Sequence, residues 1–399
     1  MKYEDIVKLD KQVLLNVYQR NPLAIKKGLG TKIWDYEGRE YLDLLGGIAV
    51  LPLGHCHPKV LNAITQQAQQ LIHTSNLFYT KETVDLAQIL VEMGNFDKVF
   101  LANSGTEANE GAIKLARKYQ WRKGKKDKFK IVSASHSFHG RTYGSLSATD
   151  KPVLKEGFDP LLEGFATAEW NNVESVEKAI DEHTAAFIVE PLQGEGGIYP
   201  ASEEFLKAAR SQCDKVGAVL IFDEIQCGLG RLGTFFAYQS FGVVPDIVTL
   251  AKGLANGLPI GAFCVNDKVA SGFQKGDHGT TFGGNVVCAA AAHATLKEIL
   301  ENNYCARVSE IGTYFREQLL NLQKMFPDYI KDVRGKGLMI GVELTANLAD
   351  SFQKDCLSRG LILNVTAKNV LRILPSYLIT KEEISFAMKI MRECFESFR

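Results

Sequence analysis

Neither sign of charge prevails in this 399-residue chain, where 46 lysines and arginines stand against 46 aspartates and glutamates. That balance removes any general attraction to nucleic acid or to an anionic membrane surface, and leaves room only for local anion sites. No apolar run approaches bilayer-spanning length, and the opening Met1-Lys-Tyr-Glu-Asp-Ile-Val7 lacks the apolar core of a secretory leader. Eight cysteines (Cys56, Cys213, Cys227, Cys264, Cys288, Cys305, Cys356 and Cys394) include no Cys-x-x-Cys pair. They read as reduced thiols, and the expected location is the cytoplasm. No Gly-x-x-x-x-Gly-Lys-Ser/Thr is present, and Gly28-Leu-Gly30 lacks the preceding strand and third glycine of a dinucleotide fingerprint. His55 and His57 have no matching ligand cluster nearby, so packing or helix capping explains them better than a metal, and no metal is expected. Internal repeats and low-complexity linkers are also missing.

What is present is organised around two short apolar runs that each end in a charge, Ala218-Val-Leu-Ile-Phe-Asp223 and Ile247-Val-Thr-Leu-Ala-Lys252. Such runs read as parallel strands buried on both faces, with Asp223 and Lys252 sharing the rim at their carboxyl ends. Around them strand and helix alternate. Val99-Phe-Leu101 precedes the polar turn Asn103-Ser-Gly-Thr106, and Ala108, Gly111, Ala112, Leu115, Ala116 and Tyr119 then fall on one helical face. A small-residue turn opening a helix offers free N–H groups to a phosphate. Ile131-Val-Ser-Ala134 leads to Ser135-His-Ser-Phe-His-Gly-Arg141, and Ala186-Phe-Ile-Val189 leads to Glu190-Pro-Leu-Gln-Gly-Glu-Gly-Gly197. Ser202 is placed to cap the next helix. Gly261-Ala-Phe-Cys-Val265 supplies another strand, and His278-Gly-Thr-Thr-Phe-Gly-Gly-Asn285 a second glycine-rich loop before a helix over 286–301. The implied core is a three-layer, mostly parallel sheet.

The N-terminal part predicts a helix over 5–16 and a hairpin about Glu37-Gly38, and Pro58 opens a helix. A helix over 305–325 follows the glycine-rich loop region. Beyond Pro327 the pattern changes to short strands at Leu338-Met-Ile-Gly-Val-Glu-Leu344, Leu361-Ile-Leu363 and Val370-Leu-Arg-Ile-Leu374, with a helix over 347–359. Thr380 and Glu383 form a capping box before the last helix. The expected domains are an N-terminal segment, 1–50, packing with a small domain; a large domain, 51–300; and a small α+β domain, 301–399. Arg372 interrupts four apolar neighbours, as an edge arginine or a ligand-binding one would.

Singly, each cluster has an ordinary explanation; Asp223 and Lys252 could simply pair across two strand ends. Together they supply a phosphate cradle, an aromatic ring, an acid, an amine and two arginines, which is what pyridoxal phosphate (PLP) chemistry requires. Asn103-Ser-Gly-Thr-Glu-Ala-Asn-Glu110, Ser137-Phe-His-Gly-Arg-Thr142, Glu190-Pro-Leu-Gln-Gly-Glu-Gly-Gly197, Phe222-Asp-Glu-Ile-Gln226, Ala251-Lys-Gly253 and Thr280-Thr-Phe-Gly-Gly-Asn285 are similar, in order, to the class III PLP-dependent aminotransferases. Gly47-Ile-Ala-Val50 and the compact length resemble the branch that acts on acetylornithine. Leu51-Pro52 and Val286 depart from the usual pattern, which bears on the amino donor rather than on the chemistry.

The resemblance implies the type I fold of PLP-dependent transferases: a large three-layer domain with a mostly parallel sheet plus a smaller α+β C-terminal domain. It implies that Lys252 holds PLP as a Schiff base and moves the proton, that Asp223 pairs with the ring nitrogen, and that Phe138 stacks on the ring. Gln226 approaches the ring hydroxyl, and Ser104, Gly105 and Thr106 bind the phosphate, joined by Thr281 from the partner of a homodimer with sites at the interface. Thr280 lies near the substrate, Arg141 and Arg372 take carboxylates, and Glu195 pairs with Arg372 when that arginine is not needed. The implied reaction moves the terminal amino group of N2-acetyl-L-ornithine to 2-oxoglutarate, giving N-acetyl-L-glutamate 5-semialdehyde and L-glutamate, a step of arginine biosynthesis. Alternatives are succinylornithine, succinyl-diaminopimelate, ornithine or 4-aminobutyrate as donor. Retention of both Lys252 and Asp223 argues against a non-catalytic binding protein on the same fold. Neither nucleic acid nor membrane is an expected partner.

Overall fold

Residues that alternate along the central strands go to two separate apolar clusters, and this explains why those strands read as unbroken apolar runs. In the computed structural model, which describes residues 3–345 and 348–398, seven strands form one sheet. Their order is Lys98–Ala102, Gly261–Val265, Ile247–Leu250, Val219–Asp223, Thr184–Val189, Lys130–Ala134 and Phe165–Ala168. All run parallel except Gly261–Val265, which is antiparallel to both its neighbours. Phe187, Val189, Leu220, Phe222, Val248 and Leu250 pack on one face with Phe205, Leu206 and Ala209 of the helix Glu203–Val216. Ala186, Ile188, Val219, Ile221 and Ile247 pack on the other with Ala112, Leu115, Ala116 and Tyr119 of the helix Gly105–Arg122. Helices thus cover both faces, giving the three layers expected, and a strand with no solvent face has no reason to alternate in polarity.

Two further four-stranded sheets flank this core, besides a two-stranded pairing of Leu192–Gln193 with Tyr199–Pro200. Ile330–Lys336, Met339–Leu344, Val370–Ile373 and Asn364–Thr366 form an antiparallel sheet in that order, accompanied by the helices Tyr304–Met325, Ala349–Ser358 and Lys381–Ser397. The predicted N-terminal hairpin is present as Lys32–Asp35 against Glu40–Asp43, with Ile25–Leu29 added outside. Leu361–Ile362, read from the sequence as a strand of the C-terminal region, instead runs parallel to Glu40–Asp43. N-terminal and C-terminal segments therefore share backbone hydrogen bonds. Ile330–Lys336 escaped the sequence reading because charges at Lys331, Asp332, Arg334 and Lys336 break its apolar pattern.

The termination signals work as read. Ser202 accepts a hydrogen bond from Phe205 N–H. Thr380 accepts one from Glu383 N–H while Glu383 accepts one from Thr380 N–H. The first helix spans Tyr3–Val13, starting two residues before the expected 5–16 and ending three residues before it. Among the described residues no helix is long and apolar enough to cross a membrane, and no group of three or more potential ligands could hold a metal ion. His55 Nε2 lies 2.8 Å from Asp43 Oδ2, which accounts for that histidine without a metal.

Candidate active site

A cavity of about 420 Å³ opens where the parallel strands end, lined among others by Gly105, Phe138, Asp223, Gln226, Lys252 and Glu195. Carboxyl ends of neighbouring parallel strands point the same way, so the loops that follow them converge on one crevice. Thr184–Val189 delivers Glu190, Val219–Asp223 delivers Asp223, and Lys130–Ala134 delivers the loop holding Phe138, His139 and Arg141. Lys252 follows Ile247–Leu250 at φ 41° and opens a short turn over Lys252–Ala255. A left-handed backbone at a non-glycine residue costs on the order of 1–3 kcal/mol and persists only where the surroundings impose it.

Asp223 is 4% exposed, and both its oxygens are engaged. Its Oδ2 accepts from Asn109 Nδ2 at 2.8 Å and lies 2.8 Å from His139 Nδ1, while Oδ1 accepts from Ile225 N–H at 3.1 Å. A carboxylate at that distance assigns the proton of the imidazole to Nδ1. Lys252 makes no ion pair among the described residues, so the strand-end pairing between Asp223 and Lys252 is not formed. Burial lowers the Lys252 ammonium pKa, Glu195 opposes this, and nearby Arg372 adds to it. A buried amine with a lowered pKa is the form that attacks a carbonyl and takes up a proton. Burial also pushes Glu190 up to about 7, against the N–H groups of Phe138 and Gly194 that donate to it at 3.2 Å.

Ser104 caps the helix Gly105–Arg122 by accepting from Glu107 N–H, and the amides of Gly105 and Thr106, which line the cavity, have no acceptor among the described residues. A Cβ on Gly105 would meet the Ile225 side chain at 2.8 Å, so only glycine allows that approach. The Thr106 hydroxyl is occupied by Thr142 and Ser145.

Two arginines behave differently. Arg141 is exposed at the cavity, has no ion-pair partner among the described residues, and its guanidinium stands 5.8 Å from the Phe138 ring centroid. Arg372 is 2% exposed and sits behind Glu195, whose carboxylate accepts from its Nη1. Burial opposes ionisation of Glu195, but Arg372 beside it holds the carboxyl below its ordinary value. Thr280 is outside the lining and is tied to it, accepting from Asn103 Nδ2 at 3.0 Å. Thr281 lies elsewhere, exposed in a recess with Ser75, Asn76 and Phe78. Val50 reaches the cavity wall and Leu51 does not. It follows a turn, Gly46–Ala49, whose four residues all have positive φ.

The residues fit PLP on these observations. Buried Asp223 suits a protonated ring nitrogen, unclaimed helix-start amides suit a phosphate, and the low-pKa lysine suits an aldehyde. Gln226 Oε1 and His139 Nε2 are buried with no hydrogen-bond partner among the described residues. Three contributors were missed from sequence: Asn109, His139 and Glu190 all lie inside quoted motifs, but their work depends on partners at least 50 residues away.

Comparison with known proteins decides the family. A family description, aminotransferase class-III, matches residues 15–395. The chain belongs to the class III aminotransferases. It is 46% identical to acetylornithine aminotransferase of Methanocaldococcus jannaschii over the full length of both chains. It is 45% identical to acetylornithine aminotransferase of Caldanaerobacter subterraneus, covering 99% of this chain and all of that one. Among solved structures, ornithine aminotransferase from Toxoplasma gondii superposes with a TM-score of 0.96 at 33% identity, covering 100% of this chain and 96% of that one. N-acetylornithine aminotransferase from Stenotrophomonas maltophilia gives 0.85 at 37% identity, with 98% and 99% covered. Aminotransferases of this class have the type I fold and work with PLP.

Proposed function

We propose that this class III aminotransferase moves the terminal amino group of N2-acetyl-L-ornithine to 2-oxoglutarate, forming N-acetyl-L-glutamate 5-semialdehyde and L-glutamate for arginine biosynthesis. The observation that carries this reading is the unequal pair of arginines, one open at the cavity and one capped by Glu195. An acylated diamine presents one carboxylate far from its reacting amine, whereas 2-oxoglutarate and glutamate present two. Arg141 would take the single carboxylate of the donor and the distal carboxylate of the dicarboxylates. Arg372 would take the carboxylate next to the reacting carbon once Glu195 withdraws. Acetylornithine aminotransferases at 42–46% identity support the acylated donor. The structural likeness to ornithine aminotransferase makes free ornithine the second reading.

PLP would lie with its phosphate on the Gly105 and Thr106 amides beside Ser104, its ring against Phe138, its nitrogen at Asp223 and its hydroxyl toward Gln226. When bound, it withdraws electrons from the carbon that carries the amine. Lys252 Nζ would hold the aldehyde and, once free, would take the proton from that carbon and return it. Asp223 would hold a positive charge at the ring nitrogen, with its carboxylate fixed by Asn109 and His139. Thr280 would stand near the substrate. Thr281 would complete the phosphate site of a partner subunit, a reading supported by the exposed apolar side chains around it: Leu77, Phe78, Tyr79 and Phe282. On this reading the protein is a homodimer and, with eight free thiols, a cytoplasmic one, with a large domain over 51–300, a small one over 301–399, and the segment 1–50 packing on the latter.

Turnover of acylated and free diamines with 2-oxoglutarate tests the donor. N-acetylornithine should give a kcat/KM well above that of ornithine, and the reverse order would refute the proposal. Single-turnover measurements of each half-reaction test the arginines. Arg372→Ala should cripple the 2-oxoglutarate half and spare the donor half, whereas Arg141→Ala should damage both. Removing one member of a desolvated charge pair costs about 2–5 kcal/mol.

A further inference from the structure

We infer that Asn364 is the positioning residue that presents Arg372 to the carboxylate beside the reacting carbon, and that its neutrality sets the preference of this half of the site for dicarboxylates. The inference rests on the proposed roles of Arg372 and Glu195 and adds a residue to them. Asn364 and Arg372 are direct cross-strand partners between Asn364–Thr366 and Val370–Ile373, so their side chains leave the sheet on the same face. On its other side Arg372 pairs with Gly341, which has no side chain to compete for the guanidinium. Oδ1 of Asn364 accepts from both Nε, at 3.0 Å, and Nη2, at 2.6 Å. Two donors on one oxygen also assign the amide, because an NH2 group there would face them donor to donor.

The guanidinium carries five N–H bonds in one plane. Asn364 takes the edge formed by Nε and one hydrogen of Nη2, and Glu195 takes Nη1. The remaining edge, Nη1 with Nη2, is the one that grips a carboxylate through two parallel bonds once Glu195 leaves. Glu195 is built to leave. Its backbone carbonyl is held by Thr366 Oγ1 at 3.0 Å and Lys151 Nζ at 2.7 Å, while its carboxylate has Arg372 as its one hydrogen-bonding partner among the described residues. The loop stays anchored as the side chain turns. Asn364 then keeps the plane of a buried arginine fixed without cancelling its charge. A carboxylate in the same place would satisfy the same two donors and neutralise Arg372 permanently.

Asn364→Asp and Asn364→Ala in the PLP-loaded enzyme test this, with Arg372→Ala as reference. Asn364→Asp is isosteric and changes only charge. It should weaken binding of glutarate, a non-reacting dicarboxylate, and raise KM for 2-oxoglutarate, each by roughly tenfold or more. KM for the acylated diamine and the donor half-reaction should stay within about twofold. Asn364→Ala should shift the same constants in the same direction, by less. Unchanged glutarate affinity in Asn364→Asp, alongside the expected selective loss in Arg372→Ala, overturns the role of Asn364 alone. Equal losses in both half-reactions for Arg372→Ala overturn the arginine pair itself, and with it this inference.

Discussion

The chemistry of this site depends on individual side chains that burial has removed from their ordinary behaviour. Asp223 is held by Asn109, His139 and the Ile225 amide, so Asp223→Asn keeps shape and most contacts while deleting the charge. A unit pair about 4 Å apart is worth roughly 4 kcal/mol at an effective dielectric of 20. Turnover of Asp223→Asn should therefore fall by about two to three orders of magnitude with PLP still bound, measured as kcat beside cofactor content. Glu190 carries a pH signature. Burial raises its carboxyl from 4.5 to about 7, so between those values the folded protein holds a proton that the unfolded chain releases. Its contribution to stability declines as pH rises across that window and is level outside it. Denaturant midpoints of the apoprotein at pH 5 and pH 8 should differ less in Glu190→Gln than in the parent. At this scale the sequence revealed Arg372, because a charge among four apolar neighbours stands out. It concealed Asn364 and His139, because ordinary polar residues in a short strand and a loop acquire their roles only from what the fold sets opposite them.

Elements were legible where their signals are local. The capping box at Thr380 and Glu383 is one case, and it does more than start a helix. Glu383 Oε1 also accepts from the Thr31 hydroxyl, linking the last helix to the segment before the N-terminal hairpin. Thr380→Ala should cost about 1 kcal/mol, read as a lower urea midpoint, with kcat unchanged. Elements were hidden where pairing is distant. Leu361–Ile362 joins a strand more than 300 residues earlier, and nothing within its own two residues says so. Ile330–Lys336 is masked by charges that the fold employs: Arg334 pairs with Glu343 at 2.7 Å and Lys331 does so from the other oxygen.

For the whole molecule the exposed group Leu77, Phe78, Tyr79 and Phe282 is the telling surface. A soluble protein rarely leaves several large apolar side chains together without a partner, and the His73 and Phe282 rings, 5.3 Å apart, join the two segments that carry them. On the proposed homodimer, Phe282→Asp should shift the species observed by light scattering from dimer to monomer and, with Thr281 at the partner's phosphate site, weaken retention of PLP. A dimer with unchanged PLP affinity would remove the surface from consideration. Only the apolar residues of this patch, not their clustering, are evident in the chain order, since more than 200 residues separate Tyr79 from Phe282.

The single reversed strand also sets a timetable. Lys98–Ala102 lies at the edge of the large sheet and, among the described residues, has Gly261–Val265 as its one strand neighbour, although the latter is made some 160 residues later. During synthesis the first strand of the core therefore waits, unpaired, for the last. The helix whose first amides are proposed to hold the phosphate follows that waiting strand directly. Contacts so far apart in sequence form slowly and leave an apolar edge exposed meanwhile. The growing chain thus completes this side of the cavity only when the sheet closes, and a ribosome-bound fragment ending before Gly261 carries Lys98–Ala102 as an open edge, available to chaperones or to a neighbouring copy.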